Sequence, residues 1–372
     1  MALEHFVSIS GGKDSTATAC LAIERAEKRD MRLRFLFADT GNEHDITLEH
    51  VDYIGRTLGI TIETVRADFT DKFAARRAAM LRDWPNELRR KMHTSECKAK
   101  CEDLAYAAKA LVREECDCPI KVTPGLPMDL IERAVALMQP TGNPFLDMAM
   151  LHGRFPGSAS RFCTDELKLV PMDLIKTRSR TGENAGPIIE WVGERAEESD
   201  ARAKKPHIEI EHCAWRTPAI IYRPIHALTA LEVFEIAKRH GLKPNPLYLM
   251  GMGRVGCMPC IMCQKEELRQ IAIRFPEHIA RIEEWERIVG GVARHAYSRL
   301  LEDENAEIIS SFLPTDKLPP DRFGNTRAAI RRAVEWSMTG RGGRNFDLLA
   351  AIEADELVTE PMKCSSRYGL CE

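Results

Sequence analysis

A short apolar run at residues 5–9 (HFVSI) stops at Ser10-Gly11-Gly12-Lys13-Asp14-Ser15, and an alanine-rich helical pattern follows to about residue 28. A strand that ends in paired glycines and turns straight into a helix constrains this chain more than any other feature. The glycines let the backbone turn with its amides pointing inward, and the helix N-terminus adds partial positive charge. Lys13 contributes a full charge, and Ser10 and Ser15 bring hydroxyls able to bond phosphate oxygens. The string departs from the Walker pattern, which needs two glycines four residues apart and then Lys-Ser or Lys-Thr. A plain glycine turn is the bland reading, but the motif sits where anion binding requires it.

The alternation continues with a strand at 32–37, a helix at 43–58 and a strand at 60–65. Such repeats imply right-handed crossovers and a parallel sheet. The expected fold is α/β: a doubly wound, Rossmann-like parallel sheet with a helical insertion and a helical C-terminal region. Residues 1–72 and 161–256 read as the nucleotide-binding core, and 73–160 as a mainly helical insertion. The alternation resumes with a helix from Asp165, strands at 187–192 and 219–223, and a helix from Thr229. Residues 257–372 read as a cysteine cluster, then helices at 265–274, 276–301 and 327–336, a hinge at 337–344 and a cysteine-bearing tail.

At 372 residues, with 44% hydrophobic and 29% charged, the chain can bury a sizeable core. A net charge of -3 provides no global pull toward nucleic acid or an anionic membrane. No apolar stretch is long enough to span a bilayer, and the N-terminus does not read as a signal peptide. A cytoplasmic location is expected. Twelve cysteines in a reducing compartment point to ligands, redox groups or buried thiols rather than a disulfide framework.

Further segments extend the pattern. Ala38-Asp39-Thr40-Gly41-Asn42-Glu43 follows the second strand at the carboxyl edge, where open parallel sheets bind ligands, although Asn42 would also serve as a helix N-cap. Arg161-Phe162-Cys163-Thr164-Asp165-Glu166-Leu167-Lys168 offers Thr164 as a cap for a helix starting at Asp165, with Lys168 on its first turn. Gly193-Glu194-Arg195 stands at a strand end, and Tyr222-Arg223-Pro224-Ile225 precedes Asn245-Pro246-Leu247-Tyr248 and Arg254-Val255-Gly256-Cys257. Read alone, Arg195 is equally a surface ion pair and Lys168 an exposed helix lysine.

Taken in order, these segments resemble the phosphoadenosine phosphosulfate (PAPS) reductase family, within the adenine nucleotide alpha-hydrolase-like ATP pyrophosphatases. The insertion and the last hundred or so residues lie outside the resemblance. It implies that Ser10, Gly11, Gly12, Lys13, Asp14, Ser15, Asp39, Thr40, Gly193 and Arg195 bind ATP or a sulfonucleotide (PAPS or APS), with Mg²⁺. It implies catalytic roles for Lys13, Asp14, Lys168, Arg195 and the tail thiol Cys371. The tail, Gly369-Leu370-Cys371-Glu372, matches the family's catalytic Cys-Gly-Leu-His segment only in part, and could equally pin the terminus.

Cys257-Met258-Pro259-Cys260-Ile261-Met262-Cys263 is C-x-x-C-x-x-C, a spacing used by iron–sulfur proteins, with Cys163 the candidate fourth ligand of a 4Fe-4S cluster. Zinc and buried core thiols are the competing readings, and Cys97, Cys101, Cys116 and Cys118 could form a separate zinc site. Reductases of this family that carry a cluster use an adjacent Cys-Cys pair, which this chain lacks. The pattern is closer to relatives that put sulfur into nucleic acid, such as DNA phosphorothioation proteins. That likeness implies adenylation of an acceptor, which could be nucleic acid, and a sulfur donor such as a cysteine desulfurase or thioredoxin. Basic stretches at 76–100 and 327–344 could hold a polynucleotide, or be solvated helix faces. The alternatives are a PAPS or APS reductase releasing sulfite, and a nucleotide sensor without turnover.

Overall fold

The structure, a computed structural model, describes residues 3–91, 119–158, 160–179, 188–211, 218–313, 329–340 and 364–371. Cys97, Cys101, Cys116 and Cys118 lie outside them, as does the second half of the expected hinge at 337–344.

The first half of the sheet follows from three apolar strands, β1 (Glu4–Ile9), β2 (Arg32–Asp39) and β3 (Ile62–Arg66), joined by helices α1 (Lys13–Ala26) and α2 (Asp45–Leu58). Helix α3 (Thr70–Asp83) leads into a two-stranded antiparallel sheet, β4 (Leu88–Lys91) with β5 (Ile120–Thr123), then α4 (Met128–Leu137) and α5 (Pro144–His152). The segment 73–160 therefore carries a hairpin-like pair that its helical pattern did not announce.

Residues 162–179 form one continuous helical run, α6, with a π-helical stretch at Asp165–Leu169. Thr164 has helical backbone angles inside this run and makes no capping bond, so the expected helix start at Asp165 is corrected. Strands β6 (Ile188–Trp191), β7 (Ile208–Glu211) and β8 (Ala219–Tyr222) complete the sheet, with a short helix α7 (Asp200–Ala203) between β6 and β7.

Strand order is β3-β2-β1-β6-β8-β7. All neighbours pair in parallel except β7, an antiparallel edge strand on β8. The chain winds outward from β1 in one direction and from β6 in the other. The crevice at their carboxyl ends is the switch point where open α/β sheets hold ligands. Both glycine-bearing loops, after β1 and after β6, open there.

Helix α8 (Ala230–Arg239) starts at Thr229 in a capping box with Glu232, and a short α9 (Pro246–Leu249) follows. Next come α10 (Lys265–Arg274), α11 (Pro276–Gly291), α12 (Arg294–Glu302) and α13 (Ile330–Ser337). The single helix expected at 276–301 is thus two. A Cβ on Gly290 would lie 2.4 Å from the Ile309 Cα, so the 308–309 backbone packs directly on the break. These helices share one apolar cluster with α3 to α6, whereas the two faces of the sheet bury separate clusters. No helix among the described residues is long and apolar enough to cross a membrane.

Candidate functional site

A cavity of about 370 Å³ opens at the switch point. Its wall includes Ser10, Gly12, Lys13, Asp14 and Ser15 from the first loop, Lys168 from α6, Gly193, and Cys257 and Cys260. Helix α1 follows Gly12, which supplies no side-chain cap; the Lys13 amide donates to the Tyr248 hydroxyl, and the helix N-terminus faces the cavity. Gly11 has φ +71°, and a Cβ there would meet Thr47 Cγ2 at 2.9 Å. The Ser15 hydroxyl accepts from the Ser10 amide at 3.0 Å and donates to the Gly12 carbonyl at 3.0 Å, which fixes the turn.

Asp14 is held from two sides. Lys13 Nζ donates to its Oδ2 at 3.0 Å and Arg195 Nε to its Oδ1 at 2.5 Å. Arg195 is 3% exposed and also pairs with Glu197. It therefore braces the loop from below instead of lining the cavity, and Asp14 has both oxygens engaged by cations. Gly193 lets the β6 loop touch α1: a Cβ would come within 2.8 Å of the Asp14 carbonyl carbon. Asp39 Oδ1 accepts the Gly41 amide at 2.9 Å, and its other oxygen faces Arg66 at 3.7 Å. Neither Asp39 nor Thr40 is on the cavity wall.

Thr40 and its neighbours instead seat the cysteine loop. Glu43 and Cys257 form an isolated antiparallel bridge, and the Met258 amide donates to the Asn42 carbonyl at 2.7 Å. Asn42, fully buried, donates to the Pro259 carbonyl at 3.1 Å and accepts from Arg281 at 2.8 Å. It is not the N-cap of α2. That position belongs to His44, whose Nδ1 accepts the Ile46 amide. Cys257 Sγ lies 3.4 Å from Thr40 Oγ1 and 3.7 Å from Glu43 Oε1.

Burial, and then the Glu43 charge, push the Cys257 thiol up to about 12. Burial also raises Cys163. Lys168 sits among these groups, and Cys257 above all, then Glu43, Cys260 and Cys163, hold its ammonium above the ordinary value against the cost of burial. The structure thus groups Cys163, Cys257 and Cys260 around one half-buried cation. Cys263 follows within the same loop, its amide donating to the Cys260 carbonyl at 2.9 Å.

The tail reaches the same place. Ser365 donates its amide to the Leu249 carbonyl at 2.7 Å, and the Tyr368 hydroxyl donates to the Gly253 carbonyl at 2.8 Å. Lys13 Nζ lies 5.1 Å from the Tyr368 ring and 5.5 Å from that of Tyr248, whose hydroxyl accepts the Lys13 amide. Cys371 is bonded to Cys364 as a disulfide.

With this geometry in view, comparison with known proteins is informative. The model of the phosphoadenosine phosphosulfate reductase domain matches residues 4–117 and 160–263. The chain belongs to that family. A relative from Escherichia phage 186, described as an uncharacterized 37.8 kDa protein in the gpa 5' region, is 39% identical over 380 residues. The alignment spans 99% of this chain and 96% of the relative. A crystal structure of phosphoadenylyl-sulfate reductase from Candida auris, a phosphate complex, aligns at 13% identity and a TM-score of 0.32. It covers 68% of this chain and 80% of that one, a match too distant to carry an argument.

The family match ends at Cys263, the last cysteine of the loop. Arg202, Tyr248 and Arg254 also line the cavity, although sequence reading gave them no role there. Tyr248 and Arg254 belong to the Asn245–Tyr248 and Arg254–Cys257 strings, so a local signal was present for both. Arg202 had none.

Cys163, Cys257, Cys260 and Cys263 bring an all-thiol donor set, the chemistry that an iron–sulfur cluster and a four-cysteine zinc site both use. Tetrahedral Zn–S bonds of about 2.3 Å put sulfurs roughly 3.8 Å apart. Among the described residues, the group whose ligand atoms lie within 4.8 Å of one another is His44, Glu277 and His278, not the cysteines. That trio is itself poorly suited to a metal. His44 Nδ1 accepts a backbone amide, so its neutral ring carries the proton on Nε2, and the Arg281 guanidinium lies 3.0 Å from His278 Nδ1.

Proposed function

We propose that this chain is a nucleotide-dependent sulfur-transfer enzyme that binds ATP or a sulfonucleotide at the Ser10–Ser15 loop and adenylates an acceptor. The observation that supports it most is a single cavity wall shared by Lys13, Lys168, Cys257 and Cys260. In this reading the α1 N-terminus and Lys13 hold phosphate oxygens, with Arg254 and Lys168 adding charge from the cavity wall. An acceptor atom attacks the α-phosphorus, the bond to the bridging oxygen breaks, and pyrophosphate leaves with the electron pair. Sulfur then displaces AMP. Arg195 keeps Asp14 and the loop in register, and Mg²⁺ would reach Asp14 only in competition with Lys13 and Arg195. Cys163, Cys257, Cys260 and Cys263 would hold a 4Fe-4S cluster, which supplies redox-active, thiolate-bound iron beside the phosphates. Lys168 would offset its negative charge. The acceptor could be nucleic acid, with a separate sulfur donor, in the cytoplasm.

A second reading, reduction of PAPS or APS to sulfite, is favoured by the Cys364–Cys371 pair. One tail thiolate takes the sulfonyl group as the sulfur–oxygen bond to phosphate breaks. The second thiol then displaces sulfite, which leaves with the two electrons that the thiols lose on forming the disulfide.

The test uses the full chain purified without oxygen, with iron and sulfide counted beside Cys257→Ala. It is assayed with ATP and Mg²⁺ for pyrophosphate, and with PAPS and a thiol reductant for sulfite. We expect one product, lowered about 100-fold or more by Lys13→Ala. Pyrophosphate supports adenylation and sulfite supports the reductase. Nucleotide binding with neither product would sink both and leave a sensor.

A further inference from the structure

Away from the nucleotide cavity, α3, the β4–β5 pair and α12 enclose a second cavity of about 510 Å³. Five cations face it, Arg76, Arg90, Lys121, Arg294 and Arg299, against the one carboxylate of Glu302. In a chain of net charge -3, that concentration is local and one-sided.

The arginines are not all satisfied by the protein. Arg76 Nε and Arg294 Nε are buried with no hydrogen-bond partner among the described residues. Arg294 spends its other nitrogens on backbone, reaching the Asn86 carbonyl at 2.6 Å, the Asp83 carbonyl at 3.3 Å and the Pro124 carbonyl at 3.4 Å. It thereby ties the β4–β5 pair to α12. Burial lowers the pKa of both Arg76 and Arg294, with the nearby charge of Asp83 opposing, but Asp83 is itself bound by two hydrogen bonds from exposed Arg82. A guanidinium stripped of water without a paired anion is costly, and an oxyanion ligand relieves that cost.

We propose that this cavity is a second oxyanion site, built to receive a phosphate group that does not belong to the nucleotide on the Ser10–Ser15 loop. The forks of Arg76 and Arg90 match phosphate oxygens in pairs, and Lys121, Arg294 and Arg299 add positive charge around them. The site also communicates with the first by structure. His152 lines this cavity and its Nε2 lies 2.6 Å from Glu166 Oε1, two residues before Lys168 in the same π-helical stretch. The phosphate could belong to a nucleic-acid backbone or to a free phosphorylated compound, and the two sources separate by experiment.

The test uses the full chain carrying Lys13→Ala, which silences the first loop, and compares it with the same chain bearing Arg90→Gln and Lys121→Gln. Both added changes fall on exposed side chains, so the fold is retained. The probes are inorganic pyrophosphate by calorimetry and a fluorescein-labelled single-stranded oligonucleotide by anisotropy. We expect one probe to weaken about tenfold, with the melting temperature unchanged, and Arg76→Gln to weaken it again. Loss of oligonucleotide binding with a shallower salt slope identifies a polynucleotide. Loss of pyrophosphate binding with the oligonucleotide unaffected identifies a free phosphate compound. Equal binding of both probes in parent and variant, or binding of neither at low salt, overturns the proposal.

Discussion

Arg195 has to satisfy two carboxylates from a position that water barely reaches. Its side chain is 4% exposed and that of Asp14 16%, whereas Glu197 is 56% exposed and contributes little. Removing the guanidinium takes from Asp14 one of its two cationic partners and leaves Lys13 alone to hold it, at a cost of about 3 kcal/mol. Arg195→Ala is therefore expected to lower the urea midpoint strongly and to weaken ATP binding by calorimetry. Arg195→Lys should recover less than half of each, because a single nitrogen cannot span both carboxylates as Nε and Nη1 do. A chain that bound ATP normally after Arg195→Ala would show that the loop holds itself. Gly193→Ala tests the same junction from the other side, since the new methyl meets backbone 2.8 Å away. It should cost roughly 1–3 kcal/mol, read by the same melt. Gly193 and Arg195 were legible because they sit in a local string. Their shared partner, Asp14, was legible only as a loop residue, since nothing in spacing reveals a contact between positions 14 and 195.

At the scale of elements, two loops distant in sequence form one unit. The Asn42 side chain bridges the Pro259 carbonyl and Arg281 from a fully buried position. Asn42→Ala would leave a buried carbonyl and a buried guanidinium short of partners, costing about 1–3 kcal/mol. We expect this variant to purify with less iron than the parent, by metal analysis, while ATP binding at Lys13 changes little. Unchanged iron content would detach the cysteine loop from this seat. In sequence Asn42 belongs to a loop expected at the nucleotide site, with a helix cap as the alternative, because both readings depend only on neighbouring residues. The bridge between Glu43 and Cys257 is a non-local pairing, invisible to any short window. The tail is a similar case. Tyr368 packs beside Tyr248, Phe234 and the Lys13 ammonium, so Tyr368→Ala should cost about 1–2 kcal/mol of local stability. Faster proteolysis near residue 364 would report it. By contrast, β1, α1, β2, α10 and the parallel sheet were readable, because alternation of strand and helix patterns is local information.

For the whole molecule, the site depends on how the helical layer closes on the sheet, and one buried carboxyl governs part of that closure. Glu286, in α11, is 1% exposed and accepts the Phe312 amide at 2.7 Å and the Ile330 amide at 2.8 Å. It thereby ties the segment after α12 and the start of α13 to α11. Burial raises its pKa to about 7, against those two amides, with Glu283 adding a smaller push. A carboxyl whose folded pKa lies above its unfolded value of 4.5 binds its proton more tightly in the native state. That contribution is fully present below about pH 4.5 and is lost as the pH rises through about 7, over a span on the order of 3 kcal/mol. Other carboxylates have the opposite sign. The pKa values of Glu24, Glu63 and Glu194 are lowered, chiefly by hydrogen bonds for Glu24 and Glu63 and by hydrogen bonds outweighing burial for Glu194. Their stabilisation fails below the ordinary carboxylate range, so the two effects occupy different pH windows. Glu286→Gln removes the first window and leaves the second. Urea melts of parent and variant between pH 4.5 and 8 should show stability falling with pH in the parent and a flatter profile in the variant. Parallel profiles would mean that Glu286 stays ionised in the fold and that the layer is closed by its apolar contacts alone.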